Sequence, residues 1–321
     1  MQNNGEKFVW SEKYRPQKIG DMVLPSRIKE LLMGFIAAGD FPTLIFSGPP
    51  GVGKTTAAKA LMNELDAEYM FINGSIKGNI DTLRNDIQSF ASTVSFSGKR
   101  KYVIIDEADF LTQNTQAGLR GFTDEFADNC GFILTCNFSN RIMPAIADSR
   151  CVTIDFSYPS VRGQDADDAA ALQLQMYKMC SAILTKEQIA FKSNVLAQFV
   201  QQKYPHWRII LNELQAYSVR GEIDSGILTN GRDIDIQELA SILKKRNFAA
   251  MREWVGEHAD IEPAHMYRSL YDGLYPRVDQ QFIPPLIVLL GKYQYQDAHC
   301  ADREINLAAC LTELMIECSF V

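Results

Sequence analysis

Gly48-Pro-Pro-Gly-Val-Gly-Lys-Thr55 matches the GxxxxGK[ST] pattern of a phosphate-binding loop. The apolar residues 43–46 before it predict a buried strand, and residues 56–62 after it are rich in helix formers. A glycine-rich loop that opens a helix directs several backbone N–H groups and the positive end of the helix dipole toward one point. We therefore expect this chain to bind a nucleoside triphosphate.

Individual positions of this loop predict individual contacts. Lys54 is expected to reach the β- and γ-phosphates, and the hydroxyl of Thr55 is expected to ligate Mg²⁺. The other loop positions expected to contact the nucleotide are Gly51, Val52, Gly53 and Thr56.

A second motif follows in Lys101-Tyr-Val-Ile-Ile-Asp-Glu-Ala-Asp109, which predicts a buried strand ending in two acids. Asp106 is expected to help hold Mg²⁺, and Glu107 to orient and deprotonate the attacking water. An acidic strand end that merely faces solvent is the simpler alternative, but it does not explain two motifs in this order. The presence of both acids favours hydrolysis of the nucleotide over nucleotide binding without turnover.

Up to about residue 155, short apolar runs alternate with helical stretches, which is typical of a parallel α/β sheet. An amphipathic helix is expected where apolar residues recur between residues 80 and 94. The predicted strands are 43–47, 69–72, 102–105, 132–135 and 152–156. We predict an α/β nucleotide domain over 1–157, a helical domain over 158–228 and a second helical domain over 229–321.

Composition narrows the class of protein. The 321 residues are 46% hydrophobic and 22% charged, and no apolar run is long enough to span a membrane. Seven cysteines without CxxC pairs and four scattered histidines predict neither a disulfide framework nor a zinc site. These features predict a cytoplasmic protein with no membrane partner. The net charge of −7 means that any DNA contact requires a local basic patch or several copies acting together.

Taken together, the motifs resemble the AAA+ ATPase subunits of sliding-clamp loaders, most closely the large loader subunit of T-even-type bacteriophages. The resemblance implies an AAA+ P-loop domain, a helical lid and an α-helical collar for oligomerisation. It covers about the first 220 residues. It is carried by Ser11-Glu-Lys-Tyr-Arg-Pro16, the phosphate loop, residues 106–109, Thr135-Cys-Asn137, Ser149-Arg-Cys151 and Arg208-Ile-Ile-Leu-Asn-Glu-Leu-Gln215.

This resemblance assigns roles that the residues alone leave open. Asn137 corresponds to a sensor of the γ-phosphate, and Arg150 to the arginine finger that reaches the ATP of a neighbouring subunit. Arg208 corresponds to a second sensor on the lid, although the preceding Tyr-Pro-His-Trp departs from the family pattern. Arg15 and Pro16 correspond to the segment over the adenine.

Four residues are predicted to contact the DNA backbone: Ser75, Lys77, Asn79 and Arg84. They surround a predicted helix start, where backbone amides and positive charge suit a phosphate. A capped, solvated helix end is the alternative. Lys99, Arg100 and Lys101 add to a local basic excess. By resemblance alone, Gln116 connects DNA contact to the acidic strand end, although the sequence predicts only an exposed helical glutamine there.

The resemblance also implies partners: a sliding clamp, primer–template DNA, further copies of the chain and a companion loader subunit. Residues 90–93 resemble a clamp-contacting segment, but Phe90 also fits the apolar stripe of its helix, so a core role stays open. Other functions left open are another AAA+ machine (a helicase loader or a branch-migration motor), a nucleotide-gated scaffold with negligible turnover, and a small-molecule P-loop kinase.

Overall fold

The computed structural model describes residues 8–75, 80–93, 95, 98–147, 151–161, 163–230, 236–259, 261, 263–297 and 299–320. The chain divides into two compact units, Met1–Leu228 and Thr229–Val321. No helix of the described ranges is long and apolar enough to cross a membrane.

The first unit is built on a five-stranded parallel sheet in the order β2-β3-β4-β1-β5. The strands are β1 (Leu44–Ser47), β2 (Tyr69–Asn73), β3 (Lys101–Asp106), β4 (Cys130–Cys136) and β5 (Val152–Asp155). Each predicted strand is confirmed to within two residues at either end. Because β1 lies between β4 and β5 and β3 lies beside β4, the loops that follow β1, β3 and β4 meet at one edge of the sheet.

Helices cover both faces of this sheet. Successive strand residues point to opposite faces, so Ile104 joins one core with Leu32 and Leu61, whereas Ile105 joins the other with Ile87. The helices of this part are α1 (Trp10–Lys13), α2 (Ser26–Ala38), α3 (Lys54–Leu65), α4 (Ile80–Ala91), α5 (Gln113–Glu125) and α6 (Pro144–Ala147).

After β5 the chain becomes mainly helical, as predicted. The helices are α7 (Ala166–Lys186), α8 (Ser193–Lys203), α9 (Trp207–Ser218) and α10 (Gly226–Asn230). Two short parallel strands, β6 (Ala190–Phe191) and β7 (Glu222–Ile223), also form here. Each has only two residues, too few to give a periodic signal, and the sequence did not predict them.

The second unit has its own apolar core, centred on buried side chains such as Leu239, Trp254, Leu270 and Leu311. Its helices are α11 (Ile236–Lys244), α12 (Phe248–His258), α13 (Pro263–Leu274), α14 (Ile283–Asp297) and α15 (Arg303–Glu317). Together the two units confirm the predicted fold class: a parallel α/β domain followed by helical regions.

Candidate active site

A pocket of about 310 Å³ opens where the loops after β1, β3 and β4 meet. That volume lies in the range of small-molecule and cofactor sites. The candidate residues that line it are Arg15, Pro16, Gly51, Val52, Gly53, Lys54, Thr55, Thr56, Asp106, Glu107, Asn137 and Arg208. The fold therefore brings every described candidate for nucleotide and metal binding to one place.

The phosphate loop depends on glycine at positions where its backbone is left-handed or closely approached. Gly48 has φ of 142°, and a Cβ there would lie 3.1 Å from the backbone carbon of Phe156. Gly53 has φ of 100° immediately before α3 begins at Lys54. Side chains other than hydrogen are disfavoured at both positions, so the loop can curl around the helix terminus and present its amides.

Lys54 is buried and fully engaged at the base of the pocket. Its Nζ donates to the carbonyl oxygens of Gly48 at 2.6 Å and Pro49 at 2.8 Å, and to Asn137 Oδ1 at 3.0 Å. Burial lowers the pKa of Lys54 to about 8, against a smaller raising effect from nearby groups that include Asp106. These hydrogen bonds hold the Lys54 ammonium beside the N-terminus of α3.

Asp106 joins the loop to the sheet. Its Oδ1 accepts hydrogen bonds from the Thr55 and Thr135 hydroxyls, both at 2.6 Å. The Thr135 hydroxyl oxygen accepts in turn from the backbone N–H of Glu107 at 3.1 Å. A hydroxyl and one carboxylate fit Mg²⁺, which is usually held by one or two carboxylates, by waters and by substrate phosphates. The described residues contain no cluster of three or more acidic, histidine or cysteine ligands.

Glu107 stands at a sharp turn at the end of β3. Its backbone is left-handed, with φ of 56° and ψ of 44°. Gly74 lies directly against this turn, because its N–H donates to Asp106 O at 2.7 Å and a Cβ on it would lie 2.8 Å from Glu107 O. An uncommon backbone conformation held by such contacts is typical of functional sites. The turn places Glu107 in the pocket lining, beside the phosphate loop.

Asp109 has a structural role that the sequence motif alone did not reveal. Its Oδ2 accepts from the backbone N–H groups of Asn137 at 3.2 Å and Phe138 at 3.3 Å. The side chain is buried, and its other oxygen has no hydrogen-bond partner among the described residues. Asp109 thus fixes the backbone that carries Asn137, the predicted sensor. The only sequence signal was its place in the run 106–109.

Gln116 differs from the exposed helical glutamine that the sequence predicted. It is 3% exposed, and its Nε2 donates to Leu111 O and Arg141 O while its Oε1 accepts from Met143 N at 2.8 Å. A buried amide with all these bonds joins α5 to the loop that begins at Asn137. Burial could not be predicted because the loop that covers Gln116 belongs to a distant part of the sequence.

The lid side of the pocket is formed by the start of α9. Arg208 lies in its first turn, and its Cβ would lie 3.7 Å from a Cβ built on Gly51. His206 Nδ1 lies 3.2 Å from Pro50 O. Because a carbonyl oxygen only accepts, Nδ1 carries a proton in this contact. The segment that departs from the family pattern therefore touches the phosphate loop directly.

Arg15 and Pro16 also line the pocket. Arg15 forms an ion pair with Glu12, and its backbone carbonyl accepts from Gln17 Nε2 at 2.9 Å. The Arg15 Nε is buried and has no hydrogen-bond partner among the described residues. An unsatisfied buried donor at the rim of a pocket suits a ligand acceptor.

The predicted DNA and finger residues are only partly described. Ser75 is exposed after β2, and both its N–H and its hydroxyl donate to Asn73 Oδ1. Lys77, Asn79 and Arg150, the predicted arginine finger, lie outside the described residues, as does the side chain of Arg84.

The expected basic excess around this helix start is wrong in part. Lys101 begins β3, whereas Ser75 follows the end of the parallel strand β2, so the two residues lie at opposite edges of the sheet. The Nζ of Lys101 donates to Thr93 Oγ1 at 2.7 Å and is buried, and Arg100 pairs with Asp40 at 3.0 Å. Arg100 and Lys101 therefore stabilise the start of β3. They do not add positive charge around Ser75, which lies at the other end of these parallel strands.

Phe90 is partly buried against the sheet core, and the ammonium of Lys101 lies 4.7 Å from its ring centre. Ile87, one turn earlier, is fully buried. These contacts favour the core interpretation for both residues. A clamp contact by residues 90–93 stays a prediction.

Comparison with known proteins agrees with this architecture. Residues 44–158 match the ATPase family associated with various cellular activities (AAA), and residues 168–229 match the AAA+ ATPase lid domain of the sliding-clamp-loader large subunit. The sliding-clamp-loader large subunit of Enterobacteria phage T4 is 32% identical over 98% of each chain. That of Escherichia phage RB69 is 33% identical over 80% of this chain and 79% of the relative.

More distant similarities extend the comparison. The replication factor C small subunit of Natronomonas pharaonis is 31% identical over 97% of this chain and 96% of the relative. A Thermotoga maritima RuvB mutant superposes with a TM-score of 0.54 at 14% identity, covering 72% of this chain and 79% of that one, which shows the fold alone. The resemblance predicted from the motifs is confirmed: the chain belongs to the sliding-clamp-loader large-subunit family of AAA+ ATPases.

Proposed function

We propose that this chain is the subunit that uses ATP and Mg²⁺ to load a ring-shaped sliding clamp onto primer–template DNA. The observation that carries the proposal is the convergence of Lys54, Thr55, Asp106, Glu107 and Asn137 on one pocket. A general base beside a phosphate-binding lysine suits hydrolysis of the terminal phosphoryl group.

In the proposed reaction, a water oxygen bonds to the γ-phosphorus while the bond to the β–γ bridging oxygen breaks, which yields ADP and phosphate. Glu107 accepts the proton of the water. Lys54, Asn137 and Arg208 stabilise the charge on the phosphoryl oxygens. Thr55 and Asp106 would hold Mg²⁺, which neutralises phosphate charge when it is bound.

Arg150 is proposed to act on the ATP of a neighbouring copy. An arginine finger in trans accelerates phosphoryl transfer by about 10³- to 10⁵-fold, so an isolated subunit would be a poor ATPase. We propose that ATP at these shared sites arranges several copies, with a companion subunit, into a spiral that opens the clamp. The domains assigned to these steps are 1–157 for nucleotide, 158–228 for the lid and 229–321 for the collar.

DNA that enters the spiral is proposed to contact Ser75, Lys77, Asn79 and Arg84 through its backbone, which reads shape and not base sequence. Gln116 would transmit that contact, because its hydrogen bonds reach the loop that starts at the sensor Asn137. Hydrolysis would then release the closed clamp on DNA, in the host cytoplasm if the chain is phage-encoded.

Steady-state ATP hydrolysis tests this proposal. The protein is measured alone, with primer–template DNA, and with DNA plus a sliding clamp and companion subunit, each beside Glu107→Gln and Ser75→Ala/Arg84→Ala. We expect turnover to rise with DNA and clamp, and the DNA variant to need more DNA for half-maximal stimulation. Turnover that ignores DNA and clamp in the complete assembly would overturn the proposal in favour of another AAA+ machine.

A further inference from the structure

The N-terminal segment is attached to the lid, although it precedes the phosphate loop in sequence. Trp10 is 5% exposed and packs in the core formed by α7, α8 and α9. The side-chain amide of Gln215, on α9, makes two hydrogen bonds to the backbone of this segment. Its Oε1 accepts from Trp10 N at 2.8 Å, and its Nε2 donates to Phe8 O at 2.7 Å.

A second attachment lies at the other end of α1. Glu187 follows α7, and its Oε1 accepts from Lys13 Nζ at 2.6 Å and also from the Tyr14 hydroxyl. We call these three residues the Glu187 cluster. The side chains of Lys13 and Glu187 are 35% and 22% exposed, so the pair is partly shielded from solvent. The hydrogen bonds from Lys13 and Tyr14 lower the pKa of Glu187 and keep its carboxylate charged.

From Gln17 onward, directly after Arg15 and Pro16, the chain is attached to the nucleotide domain instead of the lid. Gln17 Oε1 accepts from Asn63 Nδ2 at 3.0 Å, and Ile19 N donates to Glu64 Oε2 at 2.6 Å, both on α3. Arg15 and Pro16 therefore form the connection between a lid-bound segment and a core-bound segment. They also line the nucleotide pocket.

We infer that Glu187 is a positioning residue for nucleotide binding, because its hydrogen bonds to Lys13 and Tyr14 fix the connection Arg15–Pro16 against the lid. This inference rests on the proposed role of Arg15 and Pro16 beside the adenine. Glu187 does not line the pocket, so it acts only through the segment that it holds. The lid then contributes to the nucleotide site in two ways. Arg208 lines the pocket directly, and the Glu187 cluster holds the segment that carries Arg15.

The test compares Glu187→Gln, Tyr14→Phe and their double variant in the assembled loader. The readouts are the dissociation constant for a fluorescent ATP analogue and kcat at saturating ATP. Glu213→Gln is the matched control, because it removes a charge that pairs with Lys203 within the lid, at 3.3 Å. We expect Glu187→Gln to raise the dissociation constant about three- to tenfold, as for loss of a charged hydrogen bond, with kcat within about twofold.

Glu187→Gln keeps an amide oxygen that can still accept from the Tyr14 hydroxyl. The double variant should therefore lose more affinity than Glu187→Gln alone, but no more than the two single losses together, because both contacts hold the same segment. The exchange Lys13→Glu with Glu187→Lys should recover part of the affinity. If Arg15→Ala weakens binding while Glu187→Gln does not, the inference about Glu187 is wrong and the adenine-side role stands. If neither Arg15→Ala nor Glu187→Gln changes the affinity for nucleotide, the inference about Glu187 and the adenine-side role of Arg15 are both wrong. An equal loss of nucleotide affinity in Glu213→Gln would show that both variants act through the general stability of the lid, and this result would overturn the inference.

Discussion

Asn137 Oδ1 accepts a hydrogen bond from Lys54 Nζ at 3.0 Å, which joins the asparagine directly after β4 to the lysine that opens α3. The two residues follow strands β1 and β4, which lie next to each other in the sheet, although they are 83 positions apart in sequence. This part of the site is therefore pre-assembled: two groups that we propose meet the γ-phosphate already contact one another, which lowers the cost of organising them for catalysis.

The lowered pKa of Lys54 predicts a pH-dependent ATP affinity. Bound phosphates favour the protonated ammonium, so affinity is full below the pKa of the free protein, about 8, and falls as the pH rises through it. We expect the dissociation constant to increase by up to about tenfold per pH unit above that value. Fluorescent-analogue titrations from pH 7 to 9.5 measure it.

Lys54→Arg is the matched variant, because its guanidinium stays charged throughout this range. It should bind more weakly at every pH but with a flat profile. A slope in the variant as steep as that in the wild type would assign the titration to another group.

Replacing Glu107 should separate binding from chemistry. Glu107→Gln keeps the shape of the side chain but removes the base, and general-base catalysis contributes about 10²–10⁴ in rate. We expect kcat to fall at least about a hundredfold with ATP affinity changed less than about threefold. Glu125→Gln, at the exposed end of α5, is the control. Equal losses in affinity and turnover would show that Glu107 binds nucleotide and does not act as the base.

Thr135 should matter for stability as well as for catalysis. Thr135→Val leaves the Glu107 N–H without its acceptor and removes a donor to Asp106, so we expect unfolding to become easier by about 1–3 kcal/mol. Thr135→Ser retains the hydroxyl and should lose less. Urea unfolding of the two variants checks this, and a Val variant as stable as the Ser variant would contradict it.

Asp109 should affect turnover through Asn137. Asp109→Ala removes the acceptor of two backbone N–H groups, so the sensor loses its fixed position, and we expect kcat to fall about tenfold or more with a smaller change in affinity. Asp109→Asn retains one acceptor oxygen and should lie between Ala and the wild type. Exposed Asp128→Asn serves as the control. Unchanged turnover in Asp109→Ala would show that Asn137 holds its place without this carboxylate.

Much of the fold could be predicted from sequence because strand, glycine loop and helix are local signals. The loop 48–55 and the strand ending at Asp106 are contiguous motifs whose apolar pattern fixes their element type. Because parallel strands end at the same edge of a sheet, the loops that carry Thr55 and Asp106 are expected at one edge, where the two side chains in fact meet. Asn137 and Arg208 needed the family resemblance, since nothing in their own neighbourhood distinguishes them from turn or surface residues.

The features that sequence reasoning missed depend on contacts between distant segments. Gln116 is buried by a loop more than twenty residues away, and Asp109 finds its donors just as far along the chain. Counting charges along the chain places Lys101 in the basic excess that is predicted around Ser75 and Arg84. Its strand, however, starts at the other edge of the sheet. Charge counting along a chain cannot distinguish the two ends of a strand.

The most direct test of a site shared between copies is a mixing experiment. Glu107→Gln and Arg150→Ala subunits are each assembled with companion subunit, clamp and primer–template DNA, then co-assembled in equal amounts, and ATP turnover is measured. Each variant alone should be nearly inactive. Because we propose that Arg150 acts in trans, we expect co-assembly to restore activity at about one quarter of the interfaces, where an intact Glu107 meets an intact Arg150. Mixed complexes no more active than the separate variants would contradict a catalytic site completed by the neighbouring copy.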